Sequence, residues 1–315
     1  KKFIYSNFKH FLVFIGFVLI SLAYFSPVLA GKKIYQSDIV QYKGMAKQQI
    51  DYNKSNGEET YWTNSAFGGM PTYQLGAKYE HNYIKNLDLF LRFLPRPADY
   101  LFLYLITFYI LLISLELNYK FAILGALAFG FSTYLIIIIG VGHNSKAHAI
   151  AYMPLVISGI VLVFQKRYFF GFIISTLSIG LELVANHFQM TYYLLFIVIF
   201  LIFAYAIRSI KDKQIAGFLK SIMILIFASL MALAMNATNL LATAEYAKQS
   251  TRSKSELNYF PDGSKRLKSS GLDRDYITQY SYGILETLNL FIPRFMGGSN
   301  SEDIGKDSET YQAYK

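Results

Sequence analysis

The stretch from Phe121 to Val141 runs 21 residues without a charged side chain, and six more apolar stretches of 18 or 19 residues accompany it. They are Phe11 to Leu29, Tyr100 to Leu117, Ala147 to Phe164, Tyr168 to Ala185, Met190 to Ile207 and Gly217 to about Met235. A helix needs ~20 residues to cross a hydrocarbon core about 30 Å thick. Lipid offers the backbone no hydrogen-bonding partner, so only helices and closed barrels cross it, and these stretches are too long for barrel strands. The pattern predicts an all-α fold, a polytopic transmembrane bundle of about seven spans. Charged residues are only 16% of the chain, where soluble domains hold roughly a quarter. That excludes a soluble globular enzyme, a disordered chain and a fibrous repeat. The chain has no cysteine, which removes disulfide frameworks, CxxC redox pairs and thiolate metal sites.

The net charge of +10 is distributed by side. With the N-terminus in the cytoplasm, the inner face collects Lys1, Lys2, Lys9, Lys120, Lys166, Arg167, Arg208, Lys211, Lys213 and Lys220 against only Glu116 and Asp212. Eight of the ten surplus charges therefore lie inside, as the positive-inside rule requires. The short outer loops carry only Lys146, while the long first loop and the tail after Asn236 are nearly balanced. This predicts a multi-pass protein with a cytoplasmic N-terminus and an outward first loop, and the basic balance calls for no nucleic acid. A rival reading makes Lys1 to Ala30 a secretory signal with Val28-Leu29-Ala30 as its small-x-small site; the chain beyond Gly31 faces outward on either reading. A start on Lys1 and a polar end from Ser301 to Lys315 suggest a piece of a longer protein, with a further C-terminal part.

Four regions are expected: a first transmembrane helix (1–30), an extracytoplasmic loop with an interfacial helix (31–99), the transmembrane bundle (100–238) and a second extracytoplasmic segment (239–315). The first loop is long for a connector, and such loops tend to be functional. It holds the only tryptophan, Trp62, in a stretch from Tyr61 to Tyr73 whose Gly68-Gly69 pair and Pro71 predict a tight turn among aromatics. That turn reads equally as substrate-facing or as simple packing. From Ile84 to Pro97, Ile84, Leu87, Leu91 and Leu94 fall on one helical face, with Asp88 at its margin and Arg92 elsewhere, which predicts a short amphipathic helix in the membrane interface. Asn236 to Thr251 is expected to continue as a helix, Ser253 to Ser270 to be a loop, and Tyr276 to Phe295 to form another interfacial element.

Polar residues gather at the outer ends of the spans: Lys32, Lys33, Ser37, Asp38 and Gln41 after the first, His143, Asn144, Lys146 and His148 between the third and fourth, and Glu182, His187 and Gln189 around the fifth-to-sixth turn. An ionisable group within a span is a functional candidate, and Glu182 is the best such case. Three histidines with Glu182 offer metal donors, but His143 and His148 stand five apart, off the one-face spacing of a helical zinc motif. An anionic headgroup suits the cluster better, since Lys146 and the histidines can donate to phosphate. Asp38 could take a proton from an incoming hydroxyl held within hydrogen-bond reach.

Several blocks in order resemble the YfhO-like membrane proteins, a bacterial family within the GT-C superfamily of multi-span glycosyltransferases. They are Gln36-Ser37-Asp38, Trp62 to Tyr73, Gly142 to Lys146 with Tyr152-Met153-Pro154, Glu182 to Tyr193, and Leu272 to Tyr276. The resemblance implies a bacterial cytoplasmic-membrane enzyme that transfers a sugar from a polyprenyl-phosphate donor to a cell-envelope glycan or lipid acceptor, outside the cytoplasm and with inversion. It implies that Asp38, the acidic residue of the first outer loop, is catalytic. Lys146, His143 and His187 would bind the carrier phosphate, and Asn144, His148, Glu182 and Gln189 complete the candidate substrate-binding set. A single Asp replaces the paired acidic motif of some relatives, so a divalent metal is neither required nor excluded, and no metal ligands are assigned. The competing class is a transporter or lipid-linked sugar flippase, whose sites sit near the bilayer midplane on broken helices and repeated halves; the sequence reads as having neither. A non-catalytic membrane subunit that scaffolds polymer assembly is a third class.

Overall fold

A computed structural model describes residues 2–250 and, in the tail, residues 259, 262–265, 274–279, 281–292, 295–296, 303 and 305–313, with side chains from Phe8 onward except at 274 and 310. Among the described residues the chain is predominantly helical, 72% helix and 2% strand, and it divides into compact units at Ser250/Thr251.

The first unit opens with α1 (Lys2–Tyr24), then places α2 (Ser37–Met45), α3 (Lys47–Asn56), a hairpin of β1 (Trp62–Thr63) and β2 (Met70–Pro71), and α4 (Tyr83–Leu91) in the first loop. The apolar stretches follow as α5 (Ala98–Ser114), α6 (Tyr119–Gly130), α7 (Thr133–Val141), α8 (Asn144–Phe164), α9 (Tyr168–Val184), α10 (Phe188–Lys211) and α11 (Ile215–Met235), with α12 (Ala237–Ala247) beyond. All seven apolar stretches are thus helical. Among the described residues, three helices are long and apolar enough to cross a membrane, α8, α10 and α11, and a fourth crossing exists if α6 and α7 count as one. Helix α1 from Phe8, α5 and α9 are shorter apolar helices.

The third apolar stretch differs from expectation: it is broken, with α6 and α7 bent 45° apart. Ser132 begins α7 in an extended conformation (ψ 140°), and Gly130 ends α6 so close to α5 that a Cβ there would stand 2.7 Å from Leu105 Cδ2. Glycine and serine together are a common cause of sharp helix bends.

The core lies between α5, α8 and α9. The most extensive pairing is α8 with α9, and small residues permit it: a Cβ on Gly159 would meet Ser175 N at 2.7 Å and one on Gly171 would meet Val163 N at 2.7 Å. Close backbone approach at small residues is how helices associate where lipid is as apolar as the side chains. Polar links add to it, Thr107 Oγ1 donating to Ala151 O at 2.7 Å, Ser114 Oγ meeting Ser158 Oγ at 2.6 Å, and Asn236 Nδ2 donating to Gly180 O at 3.0 Å. By contrast α10 buries only Met190 and Leu194, leaving a long apolar face exposed.

In the first loop, Ala46, Ala66, Met70 and Leu75 form a small separate core against Met45, Ile50 and Tyr246 of α12. Gln74 Nε2 donates to Thr243 Oγ1 at 3.0 Å and His81 Nε2 lies 2.9 Å from Thr238 Oγ1, so the loop is folded along α12. Helix α4 begins on Asn82, whose side chain accepts from Lys85 N. Its faces depart from the expected pattern. Asp88 and Arg92, read as marginal and outward, are buried, while Tyr83, Leu89, Phe90 and Phe93 are exposed. The helix therefore turns Asp88 and Arg92 into the bundle and several apolar side chains outward.

The second unit holds a turn at Asp262–Ser264 closed by the bridge Tyr259–Lys265, two short helices, α13 (Arg274–Thr278) and α14 (Glu309–Ala313), and between them a 3₁₀ turn Leu285–Leu290. The interfacial element expected from Tyr276 to Phe295 is divided between α13 and that turn. Leu272 and Asp273, and most of the expected loop from Ser253 to Ser270, lie outside the described residues.

Candidate functional site

The turn from α7 into α8 is built on Gly142, which adopts φ +95°, and a Cβ there would stand 2.9 Å from Gln36 Cβ and 3.4 Å from Asp38 Cβ. Glycine is needed twice over, for the left-handed backbone and for the approach of the first loop. Gln36 is buried and donates Nε2 to Ile139 O at 2.6 Å, with Asn144 Oδ1 at 3.4 Å. This anchors the start of α2 to the end of α7. Asp38 follows in the first turn of α2, where the helix dipole favours a carboxylate. His143 Nδ1 lies 3.1 Å from Asp38 Oδ2, and both side chains are 46% exposed. The pair is thus pinned from beneath yet open to a ligand.

His187 precedes α10 and is half-buried. Burial holds its pKa below the ordinary imidazole value, and the charges of Lys146 and His143 act in the same direction. Asp38, His143, Lys146 and His187 thus belong to one neighbourhood, with Asn144 tied to it through Gln36. A carboxylate steadied by an imidazole, beside further cationic and imidazole groups, can accept a proton from a hydroxyl and attract an anion.

Of the other expected site residues, Glu182 is joined to His187 through Thr191, whose Oγ1 also lies 3.5 Å from His187 O. Glu182, in the last turn of α9, is 1% exposed and accepts from Thr191 Oγ1 of α10 at 2.9 and 3.1 Å, which makes it an internal helix-to-helix link. Gln189 is exposed and donates to Tyr193 OH at 2.7 Å on its own helix. His148 is buried and meets Asp88.

Asp88 is the centre of a network that sequence reasoning missed. Its carboxylate accepts from Arg92 Nε at 3.1 Å and Nη2 at 2.9 Å, from Lys85 Nζ at 3.1 Å, from Tyr152 OH at 3.1 Å and from His148 Nε2. Arg92 Nη1 also reaches Asp99 Oδ2 at 3.2 Å. Burial alone would raise the Asp88 pKa, but the donors His148 and Arg92, with the Lys85 charge, hold it far below the usual carboxylate range. The available signal was the four-residue spacing of Asp88 and Arg92 within an apolar segment, which puts both on one helical face.

Among the described residues, no group of three or more His, Asp or Glu side chains stands close enough to hold a metal ion. Among protein-family models, curated proteins and solved structures, nothing matches this chain.

Proposed function

We propose that this chain is a seven-span membrane glycosyltransferase of GT-C type, an inverting enzyme that moves a sugar from a polyprenyl-phosphate donor to a cell-envelope acceptor on the outer face of a bacterial cytoplasmic membrane. The observation that carries the reading is the meeting of Asp38 with His143 at the turn into α8, beside Lys146 and His187. The acceptor hydroxyl oxygen attacks the sugar's anomeric carbon and gives its proton to the Asp38 carboxylate. The bond from that carbon to the phosphate oxygen breaks, and its electron pair leaves with the polyprenyl phosphate. Lys146, with the imidazoles, offsets the charge on the departing phosphate. Stabilising charge where it develops is the largest single contribution in many enzymes. One displacement needs one base, not the two carboxylates of a glycosidase.

The seven-span count is supported by adding α1, α5 and α9 to α8, α10, α11 and the bent α6–α7 pair. A lipid-linked donor carries its phosphate at headgroup level, where these outer helix ends would meet it. The blocks that resemble the YfhO-like family add to the case, since Asp38 and His143 come from two of them.

The bend between α6 and α7 favours a second reading, a transporter or flippase, because broken helices are a feature of such proteins. Radiolabelled sugar transfer in reconstituted vesicles separates the two. The enzyme forms product, and Asp38→Asn lowers its rate by ~10²–10⁴-fold with membrane insertion intact. Full activity in that variant removes Asp38 as the base, and donor movement without product favours the flippase.

A further inference from the structure

The β1–β2 hairpin carries features that the transfer chemistry does not use. Trp62 is 53% exposed, yet its ring is fixed on two sides. Its Nε1 donates to Asn64 Oδ1 at 2.9 Å. One part of the ring lies so close to Gly69 that a Cβ there would be 2.7 Å from Cζ2. The turn that brings Gly69 under the ring runs through positive φ at Phe67 (53°), Gly68 (74°) and Gly69 (122°). For a bulky residue such as Phe67 this backbone is unfavourable, and its side chain is 85% exposed, so the strain is not offset by burial of that ring.

Asn64, which meets the ring nitrogen, is itself held by Gln48 of α3. Gln48 Oε1 accepts from Thr63 Oγ1 at 2.6 Å, Asn64 N at 2.8 Å and Ser65 N at 3.1 Å. Among the described residues, the amide nitrogens Gln48 Nε2 and Asn64 Nδ2 have no partner. From Thr60 to Gly76 the chain carries no Asp, Glu, Lys or Arg. A fixed aromatic face with spare amide donors close by, on a segment without charge of its own, matches the C–H face and hydroxyl edge of a sugar ring.

We propose that Trp62, with Asn64 and Gln48, forms a binding platform for a neutral saccharide. On the transferase reading, this platform would hold a sugar unit of the acceptor glycan. The hairpin's place favours a soluble ligand over lipid, for its small core packs on Tyr246 and its neighbour Gln74 on Thr243, both in α12 beyond the last apolar helix.

Trp62 is the only tryptophan, so the fluorescence of the unmodified protein reports this site alone. Protein in lipid nanodiscs is titrated with oligosaccharides of glucose, galactose and N-acetylglucosamine, from one to six units. The expected result is a saturable emission change with at least one series, tightening with length. Asn64→Ala and Gln48→Ala, which keep the fluorophore, weaken that binding several-fold. By calorimetry Trp62→Ala weakens it at least ~10-fold and Trp62→Phe less. The proposal is overturned if no series gives a saturable change, or if brominated acyl chains in the nanodisc quench Trp62, which would make the ring a membrane anchor. Saccharide binding in a protein that transfers no sugar keeps the platform and removes the transferase reading; transfer with Trp62 silent to every series does the reverse.

Discussion

At the scale of single residues, the mouth depends on groups that are ordinary alone and informative together. Asp38 in isolation is a solvated loop carboxylate, and His143 a headgroup-level imidazole. The 3.1 Å contact between them joins the first loop to the turn before α8. Both were legible as candidates because polarity stands out at the ends of apolar stretches. Their pairing was not legible, since it depends on buried Gln36 and on the clearance at Gly142. On the proposed transferase reading Lys146 would offset the leaving phosphate, so Lys146→Met should lower kcat/KM for the donor by ~10²-fold while leaving the fold unchanged by circular dichroism. His187 adds a pH effect whose sign is set by its lowered pKa. It is neutral at pH 7 and gains charge only as pH falls below the ordinary imidazole value of about 6.5. Donor affinity should therefore rise on acidification through that range. His187→Gln should flatten that limb, and an unchanged profile in the variant would discharge His187 from phosphate binding.

At the scale of elements, α4 shows why periodicity alone misjudged a helix. Counting apolar positions put Ile84, Leu87, Leu91 and Leu94 on one face laid in the membrane interface, whereas Ile84 is buried in the protein with Leu87 and Leu91 packed against the same cluster. The count missed that Asp88 and Arg92 share the inward side, because it treats charge as a mark of solvent. In α4 the charges find partners inside the protein, and apolar rings such as Phe90 take the outside, the arrangement expected of a helix next to lipid. Removing one member of a buried ion pair leaves the other uncompensated, at a cost of about 3–5 kcal/mol. Asp88→Ala should destabilise the protein by roughly that amount in thermal unfolding, whereas Asp88→Leu with Arg92→Met should cost much less than the two changes summed. The sign of the pH effect is set by the depressed Asp88 pKa. Its contribution is fully present above the unfolded carboxylate value near 4 and is lost only as pH falls through the lower folded value. Hydrogen-exchange protection of α4 should therefore be insensitive to Asp88 titration at neutral and mildly acidic pH; loss of that protection near pH 5 in the natural chain but not in the Leu/Met double variant would contradict it.

At the scale of the whole molecule, the contacts sort into two sets that bear on how the chain threads the membrane. Asp38 with His143, His81 with Thr238 and Gln74 with Thr243 join the first loop to the start of α8 and to α12. Gln165 with Ser114 O, Lys166 with Gln214 and the Lys9 cation over the Tyr119 ring join the opposite helix ends. With α1 and α5 each crossing once, Asp38 and Asn118 lie on opposite sides. His143, which touches Asp38, then returns to the first side only if α6 and α7 together cross the bilayer despite their 45° bend. A re-entrant pair would leave His143 with Asn118 and break the contact. The same count from α8 to α11 brings Thr238 back beside His81, as the second contact requires. Because the chain has no cysteine, single substitutions test this without background. Ser145→Cys and Asn56→Cys should react with a membrane-impermeant maleimide on intact cells, and Asn118→Cys and Lys213→Cys only after permeabilisation. Labelling of Asn118→Cys together with Ser145→Cys from the outside would mean that the bent pair turns back within the membrane, and the proposed outer mouth would lose the parity on which it rests.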